Sequence, residues 1–175
     1  MKANTITRFS TTTLALCAAL IFASNGISAE KDTLNSADVK FVKHEAAAGM
    51  ALVKLAGLGA QKAGRADVKA FAEMLVTDHT KANEELTKLA ATKGVELSAV
   101  IDPKHAETFQ KLEKTESADF DKEFLAEMTS GHKKCIGNFE DAAKDSKDSD
   151  LKMWADKMLP TLKTHLEQAK ELSSK

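Results

Sequence analysis

The stretch VKAFAEMLVTDHTKANEELTKL (residues 68–89) decides the fold of this chain. Its apolar residues recur at alternating steps of three and four, the spacing that lines one face of an α-helix. They are Val68, Phe71, Leu75, Ala82, Leu86 and Leu89. His79 occupies the central position of this stripe. Burying an imidazole without a hydrogen bond or a metal costs on the order of a few kcal/mol, so the pattern predicts that His79 has a partner inside the fold.

Two later segments repeat this pattern of an apolar stripe with a histidine near its centre. His132 lies in the stripe of a long helix that we predict to begin at a cap on Ser117. His165 lies in the stripe of a last helix, which follows a polar turn at residues 144–150. Pro160 falls inside that helix and predicts a kink or a loosened backbone one turn before His165.

The first helix is predicted to run from a cap at Ser36 to about Lys62. His44 and Glu45 lie on or beside its inner face. The apolar residues of that face are Phe41, Ala48, Leu52 and Leu55.

The connections between the helices predict how the chain is folded. Residues 63–65 form a short turn, and Gly94 ends the second helix. Asp102 and Pro103 then begin a short helix within a long connection, where His105 is expected to make a capping or surface contact. No strand pattern competes with this assignment. We predict an all-α fold, a ferritin-like antiparallel four-helix bundle with a short extra helix in the long crossover.

The N-terminal residues have the pattern of a secretory signal peptide. Lys2 and Arg8 are basic, residues 14–23 are apolar but too few to span a bilayer, and Ala29 ends an acceptable cleavage site. We therefore predict a signal peptide at residues 1–29, one helical domain at 30–175, and a periplasmic or secreted location.

Charge and aromatic content bear on the partners of the chain. The net charge is −1, and removing Lys2 and Arg8 leaves −3 for residues 30–175. With one Trp and no Tyr, the chain has no basic or aromatic platform for nucleic acid. No second segment is apolar enough to cross a membrane.

Cys17 is removed with the predicted signal peptide, so Cys135 has no intrachain disulfide partner.

The three stripe histidines are predicted to approach one another. Counting from the nearest turn at ~1.5 Å per residue places His79 and His132 at ~22 Å, His165 at ~26 Å and His44 at ~28 Å. If both turns lie at the same end of the bundle, three or four imidazoles enter one layer of the core. Two interpretations of such a layer remain open, a metal site and a set of mutually hydrogen-bonded side chains.

The donor atoms bear on which metal such a site would hold. No Glu-x-x-His occurs anywhere in the sequence, which argues against a ferritin-type di-iron centre. Imidazole together with the sulfur of Cys135, Met128 or Met158 favours zinc or copper over magnesium, calcium or manganese. We predict His79, His132 and His165 as ligands. The weaker candidates are His44, Glu45, Asp78 and Cys135.

Catalysis is not predicted. Cys135 and His132 project from one helix into a packed core, where a thiol is inert. The sequence contains no phosphate-binding glycine loop, serine-nucleophile elbow or pair of convergent carboxylates.

Three segments resemble the domain of unknown function 4142 family of secreted bacterial proteins: VKAFAEMLVTDHTKANEEL (68–86), FDKEFLAEMTSGHKKCIGNFE (120–140) and LPTLKTHLEQAKEL (159–172). The resemblance extends over about residues 37–172 and implies a ferritin-like fold. Matching its motifs singles out Asp78, His79, His132, Pro160 and His165.

One position departs from the family. Its members typically carry a glutamate where this chain has Leu52. If that glutamate helps to hold a metal, His44 or Glu45 would have to replace it here.

Two hypotheses about function follow. In the first, a periplasmic or secreted bundle binds a transition metal through its core histidines. In the second, the protein is a non-metallated envelope stress or interaction protein, with an envelope protein as its partner, whose histidines form a buried polar layer.

Overall fold

Four long α-helices and one short one make up the described part of the chain, residues 33–98 and 100–175 of a computed structural model. The helices are α1 (Ser36–Lys62), α2 (Ala66–Thr92), α3 (Pro103–Lys114), α4 (Ser117–Asp145) and α5 (Ser149–Ser173). Within this part, no helix is both long and apolar enough to cross a membrane. The predicted signal peptide and Cys17 lie outside the described residues.

The helix ends show how the long helices are connected. At the α1–α2 turn, the backbone N–H of Gly64 donates to Asp121 near the start of α4, at 2.9 Å. The Arg65 guanidinium donates to the carbonyl of Leu172 near the end of α5, at 2.9 Å. Lys62 donates to the carbonyl of Glu113, which fixes the end of α3 at the same place. The α1–α2 turn therefore lies beside the start of α4 and the end of α5.

The α4–α5 turn lies at the opposite end of the bundle. There Asp148 forms an ion pair of 2.6 Å with Lys93, just beyond the end of α2. Each long helix packs on two antiparallel neighbours, α1 and α5 both packing against α2 and α4. The long connection through α3 joins α2 to α4. The predicted four-helix bundle with ferritin-like connectivity is confirmed.

Two of the predicted helix caps were placed one residue late. Asn35 caps α1 because its side chain accepts the backbone N–H groups of Ala37 and Asp38, and Ser36 is the first helical residue. Glu116 occupies the cap position of α4 and makes no capping hydrogen bond through its side chain. The prediction for α3 is confirmed, since Asp102 accepts the N–H of Lys104 at 2.8 Å.

Gly94 ends α2 as predicted. It has a positive φ of 69°, a conformation that glycine adopts without steric cost. The N–H of Val95 then reaches the carbonyl of Ala90, and the N–H of Gly94 reaches that of Ala91. These two bonds form a Schellman motif, which satisfies carbonyls at the helix end.

The apolar core consists of two clusters. One contains Leu75, Phe124, Met128 and Ala169, towards the α1–α2 turn. The other contains Leu86, Ile136, Trp154 and Leu162, towards the α4–α5 turn. His79, His132 and His165 each fall between a residue of the first cluster and a residue of the second along their own helix. The histidine layer therefore divides the core.

Candidate metal centre

Three buried imidazoles meet in the centre of the bundle, one each from α2, α4 and α5. The exposed fractions of His79, His132 and His165 are 8%, 1% and 1%. Their ring centroids are 5.3 to 5.5 Å apart in all three pairs. One ring nitrogen of each lies within 4.8 Å of one ring nitrogen of each of the others. The predicted convergence of the three rings is thus present.

The turns lie at opposite ends, whereas the sequence argument required them at one end. The rings still meet because His79 and His132 lie close to the middle of their helices. A residue in the middle of a helix is at the same height whichever end it is counted from. His165 lies nearer the end of α5. Side chains tilt towards the N-terminus of their helix, so His165 and His79, on antiparallel helices, lean towards each other.

Two of the three rings are oriented by hydrogen bonds. His132 donates from Nδ1 to the carbonyl of Met128, one turn earlier in α4, at 2.8 Å. His165 donates from Nε2 to the carboxylate of Asp78 on α2, at 3.0 Å. In a neutral imidazole, each bond places the one proton on the engaged nitrogen, and the lone pair is then on the other nitrogen. Asp78, a weaker candidate ligand, therefore contacts His165 and is not in the group of side chains placed to share an ion.

Each of the three rings also has a buried nitrogen without a hydrogen-bond partner among the described residues: Nε2 of His79, Nε2 of His132 and Nδ1 of His165. No hydrogen bond joins any two of these rings in that part of the chain, so the layer is not held together by mutual hydrogen bonds. A buried imidazole nitrogen without a partner is costly. A metal ion shared by the three lone pairs would satisfy all of them.

The electrostatics keep two of the rings neutral. Burial, together with the nearby His132 and His165, lowers the pKa of His79 to about 3. Burial also lowers the pKa of His132 to about 4, against the opposing effect of its bond to Met128. Neutral imidazole is the form that binds metals, so both rings are ready to bind at neutral pH.

A cavity of about 290 Å³ extends from the histidine layer. It is lined by all three rings and by the weaker candidates His44, Glu45, Asp78 and Cys135. Met128, Met158 and Leu52 also line it. The cavity therefore includes every residue that the sequence singled out as a possible ligand.

The weaker candidates other than Asp78 form a separate group around Glu45. Its carboxylate accepts Asn138 at 2.8 Å and the thiol of Cys135 at 3.5 Å, and the exposed His44 lies 3.9 Å away. Burial raises the pKa of Glu45, although the bond from Asn138 opposes this. Burial and the Glu45 carboxylate raise the pKa of the Cys135 thiol well above its usual range. Cys135 therefore remains protonated, which disfavours it as a ligand or nucleophile.

Sequence reasoning missed two members of the cavity wall. Asn138 was not singled out, and the only signal for it is its position three residues after Cys135, on the same helical face. His105 was expected at the surface, but it is half-buried and lines the cavity. Its Nδ1 is buried without a partner in the described residues. The crossover helix packs against α1 and α4, and this packing is not encoded in local periodicity.

The comparison with family profiles agrees with the resemblance seen in the sequence. The profile of DUF4142, a domain of unknown function, matches residues 24–172. The chain belongs to the DUF4142 family. No curated protein matches it.

Solved structures share the fold of this DUF4142 protein at low sequence identity. A DUF305 fragment from Deinococcus radiodurans has a TM-score of 0.72 at 14% identity, over 81% of this chain and 98% of the fragment. CopM in its Cu(II)-bound form has a TM-score of 0.68 at 15% identity, over 78% and 95% of the two chains. CopM in its Cu(I)-bound form has a TM-score of 0.65 at 17% identity, over 77% and 93%.

Proposed function

We propose that this DUF4142 protein binds one transition-metal ion, copper or zinc, through His79, His132 and His165. The observation that carries the proposal is the convergence of three buried imidazoles that each offer a ring nitrogen within 4.8 Å of the others. Each ring also has a buried nitrogen without a hydrogen-bond partner among the described residues. Imidazole is a preferred ligand of both metals. The copper-bound forms of CopM show that a protein of this fold can hold copper.

The surroundings of the rings support the same proposal. Histidine ligands usually donate their second N–H to a carboxylate or a backbone carbonyl, which fixes the ring and strengthens the donor nitrogen. Asp78 accepts from His165 and the Met128 carbonyl accepts from His132 in this way. Three nitrogens at ~2.1 Å from one zinc ion are ~3.5 Å apart. Binding therefore requires the rings to move inward by on the order of an ångström.

Competition titration tests the proposal. Chelator-treated protein is titrated with zinc, and separately with copper, against a chromophoric chelator. We expect one ion per chain, and an affinity lower by about tenfold or more in His132→Ala, since each 1.4 kcal/mol of lost binding is tenfold.

The matched control is His44→Ala, because His44 lines the same cavity but is exposed and lies outside the triad. It should leave the affinity unchanged. Equal losses of metal affinity in His44→Ala and His132→Ala would contradict a site made by the triad.

We also propose that binding takes place outside the cytoplasm, in keeping with the signal-peptide pattern of residues 1–29. Metal held in the core of an exported bundle would serve storage or delivery of the ion. The mature protein should begin at Glu30, which N-terminal sequencing of periplasmic and culture fractions can determine. Recovery of the uncut chain from the cytoplasm alone would contradict this part of the proposal.

A further inference from the structure

One wall of the cavity provides no metal ligand to the triad. Helices α2, α4 and α5 each contribute an imidazole, whereas α1 presents Ala48, Leu52 and Leu55 at this level. Among the described residues, the three histidines form the only group of three or more side chains placed to share a metal ion. An ion held there would have three donors from the protein. The α1 wall is apolar at Ala48, Leu52 and Leu55, and the carboxylate of Glu45 on the same wall is engaged by Asn138 and Cys135.

Three donors leave one position of a tetrahedral ion unfilled, and metal sites that bind exchangeable ligands have this arrangement. The space beside the triad can accommodate such a ligand. The cavity of about 290 Å³ is close to the lower end of the range for small-molecule pockets. Exposed residues also line it, among them Lys81, Gly131 and Lys157, so the cavity reaches the surface.

The charge of the site indicates what kind of ligand would bind. Three neutral imidazoles leave the full charge of a divalent ion in a buried space, and uncompensated buried charge is costly. An anionic donor reduces that charge. The cavity volume of about 290 Å³ limits the ligand to a small one.

We infer that a metal ion bound by the triad keeps one coordination position open towards the α1 wall, and that a small anion with a nitrogen or oxygen donor binds there. This inference rests on the proposed metal binding. It assigns to the cavity a ligand site in addition to the metal site.

Cobalt(II) and azide test the inference in the whole protein. The visible absorption of Co(II) depends on its ligands and coordination number, so it reports on the metal directly. We expect Co(II) to bind once per chain, and azide to shift its visible bands in a saturable titration. No protein variant is needed for this measurement.

Filling the cavity tests where azide binds. Leu52→Trp adds bulk to the wall opposite the triad, and we expect azide affinity to fall by about tenfold or more while Co(II) still binds. The matched control is Leu159→Trp, because Leu159 is half-buried on α5 but does not line the cavity. If circular dichroism shows that Leu52→Trp is unfolded, Ala48→Leu narrows the same wall with a smaller change.

The outcomes separate this inference from the proposed function. Absence of Co(II), zinc and copper binding would overturn both. Co(II) binding with a spectrum that azide leaves unchanged would overturn the open position alone. Azide binding that is equally strong in the wild type and in the folded cavity-filling variant would overturn its location at the α1 wall.

Discussion

The three histidines differ in how firmly the fold holds them. His132 is fixed by the Met128 carbonyl and His165 by Asp78, whereas no hydrogen bond of the His79 ring occurs among the described residues. Metal binding requires a small inward movement of the rings. His79 is the ring whose orientation is least constrained, so we expect it to make most of that movement.

Asp78→Asn is predicted to weaken metal binding without removing a ligand. The amide side chain cannot accept the His165 N–H as strongly as a carboxylate does, so the ring is held less firmly and its donor nitrogen is weakened. Loss of such a partner typically lowers metal affinity by about 10- to 100-fold. Competition titration with zinc measures the change.

The matched control for Asp78→Asn is Asp141→Asn, since Asp141 is exposed on α4 and does not line the cavity. It removes the same charge and should leave the affinity unchanged. An unchanged affinity in Asp78→Asn as well would show that the contact with His165 has no role in binding.

Acid is predicted to destabilise the metal-free protein below pH 6.5. The unfolded chain takes up a proton on each histidine near that pH, whereas burial keeps the pKa of His79 at about 3 and that of His132 at about 4 in the folded state. The stability that the folded state gains from keeping these two rings neutral is complete above pH 6.5. It is lost progressively as pH falls towards 3. At pH 5 the loss is about 2 kcal/mol for each ring.

Urea unfolding of chelator-treated protein between pH 7 and pH 5 measures this effect. The raised pKa of Glu45 acts in the opposite direction, because the folded state then binds the extra proton. Comparison with His79→Leu, which retains Glu45, isolates the histidine. The variant should lose stability less steeply with acid. Parallel curves of unfolding free energy against pH for wild type and variant would contradict the pKa assigned to His79.

At the scale of the helix, periodicity could predict which residues face the core but not what they contact. The steps of three and four placed His79, His132 and His165 on inner faces, and the structure agrees. Helical spacing alone does not identify the Met128 carbonyl or Asp78 as their partners. Those contacts depend on ring orientation and on the neighbouring helix, neither of which the spacing determines. The expected kink at Pro160 remains a prediction, and α5 continues through it.

The close contact between helices at Gly59 leads to a prediction for α1. A Cβ at Gly59 would lie 2.6 Å from the ring of Phe124 and 3.0 Å from the Cβ of Ala72. Gly59→Ala should therefore lower the free energy of unfolding by about 1–3 kcal/mol, the usual effect of overpacking.

Gly57→Ala is the matched control in the same helix. A Cβ there would meet no atom within 4 Å, so the higher helix propensity of alanine should stabilise the protein by about 0.5–1 kcal/mol. Urea unfolding midpoints distinguish the two substitutions. A stabilising effect of Gly59→Ala would show that α1 and α4 are not packed as closely as the structure indicates.

At the scale of the whole molecule, a buried ion pair closes the bundle end opposite the α1–α2 turn. The side chain of Lys93 is 2% exposed and lies 2.6 Å from Asp148, which is 5% exposed, and 2.8 Å from Asp150. The sequence indicated only a polar turn at residues 144–150. The ion pair was not predictable because it joins residues more than 50 positions apart and requires the two turns to lie at opposite ends.

Lys93→Ala is predicted to destabilise the protein strongly, by about 3–5 kcal/mol, because it leaves the buried Asp148 carboxylate without its cation. The comparison variant is Lys157→Ala, which breaks the exposed pair with Glu85 and should cost less than about 1 kcal/mol. Thermal and urea unfolding measure both. Similar small losses of unfolding free energy in the two variants would contradict a structural role for the Lys93 ion pair.

The division of the core by the histidine layer connects fold and function. Apolar clusters on both sides stabilise the bundle, while the layer between them contains three imidazoles that line a cavity, each with a buried nitrogen that has no hydrogen-bond partner among the described residues. Sequence reasoning could predict the layer because three helices carry the same interruption in their stripes. It could not predict the cavity, whose walls include α1 and His105 of the crossover helix.

Elemental analysis tests the central claim most directly. The protein is purified without chelators from periplasm or culture medium, beside a variant in which His79, His132 and His165 are all alanine and whose helical fold is verified by circular dichroism. We predict about one copper or zinc ion per chain in the wild type and none in the variant, as expected for a site with imidazole ligands. Equal metal content in the two proteins would contradict a metal site made by the histidine layer.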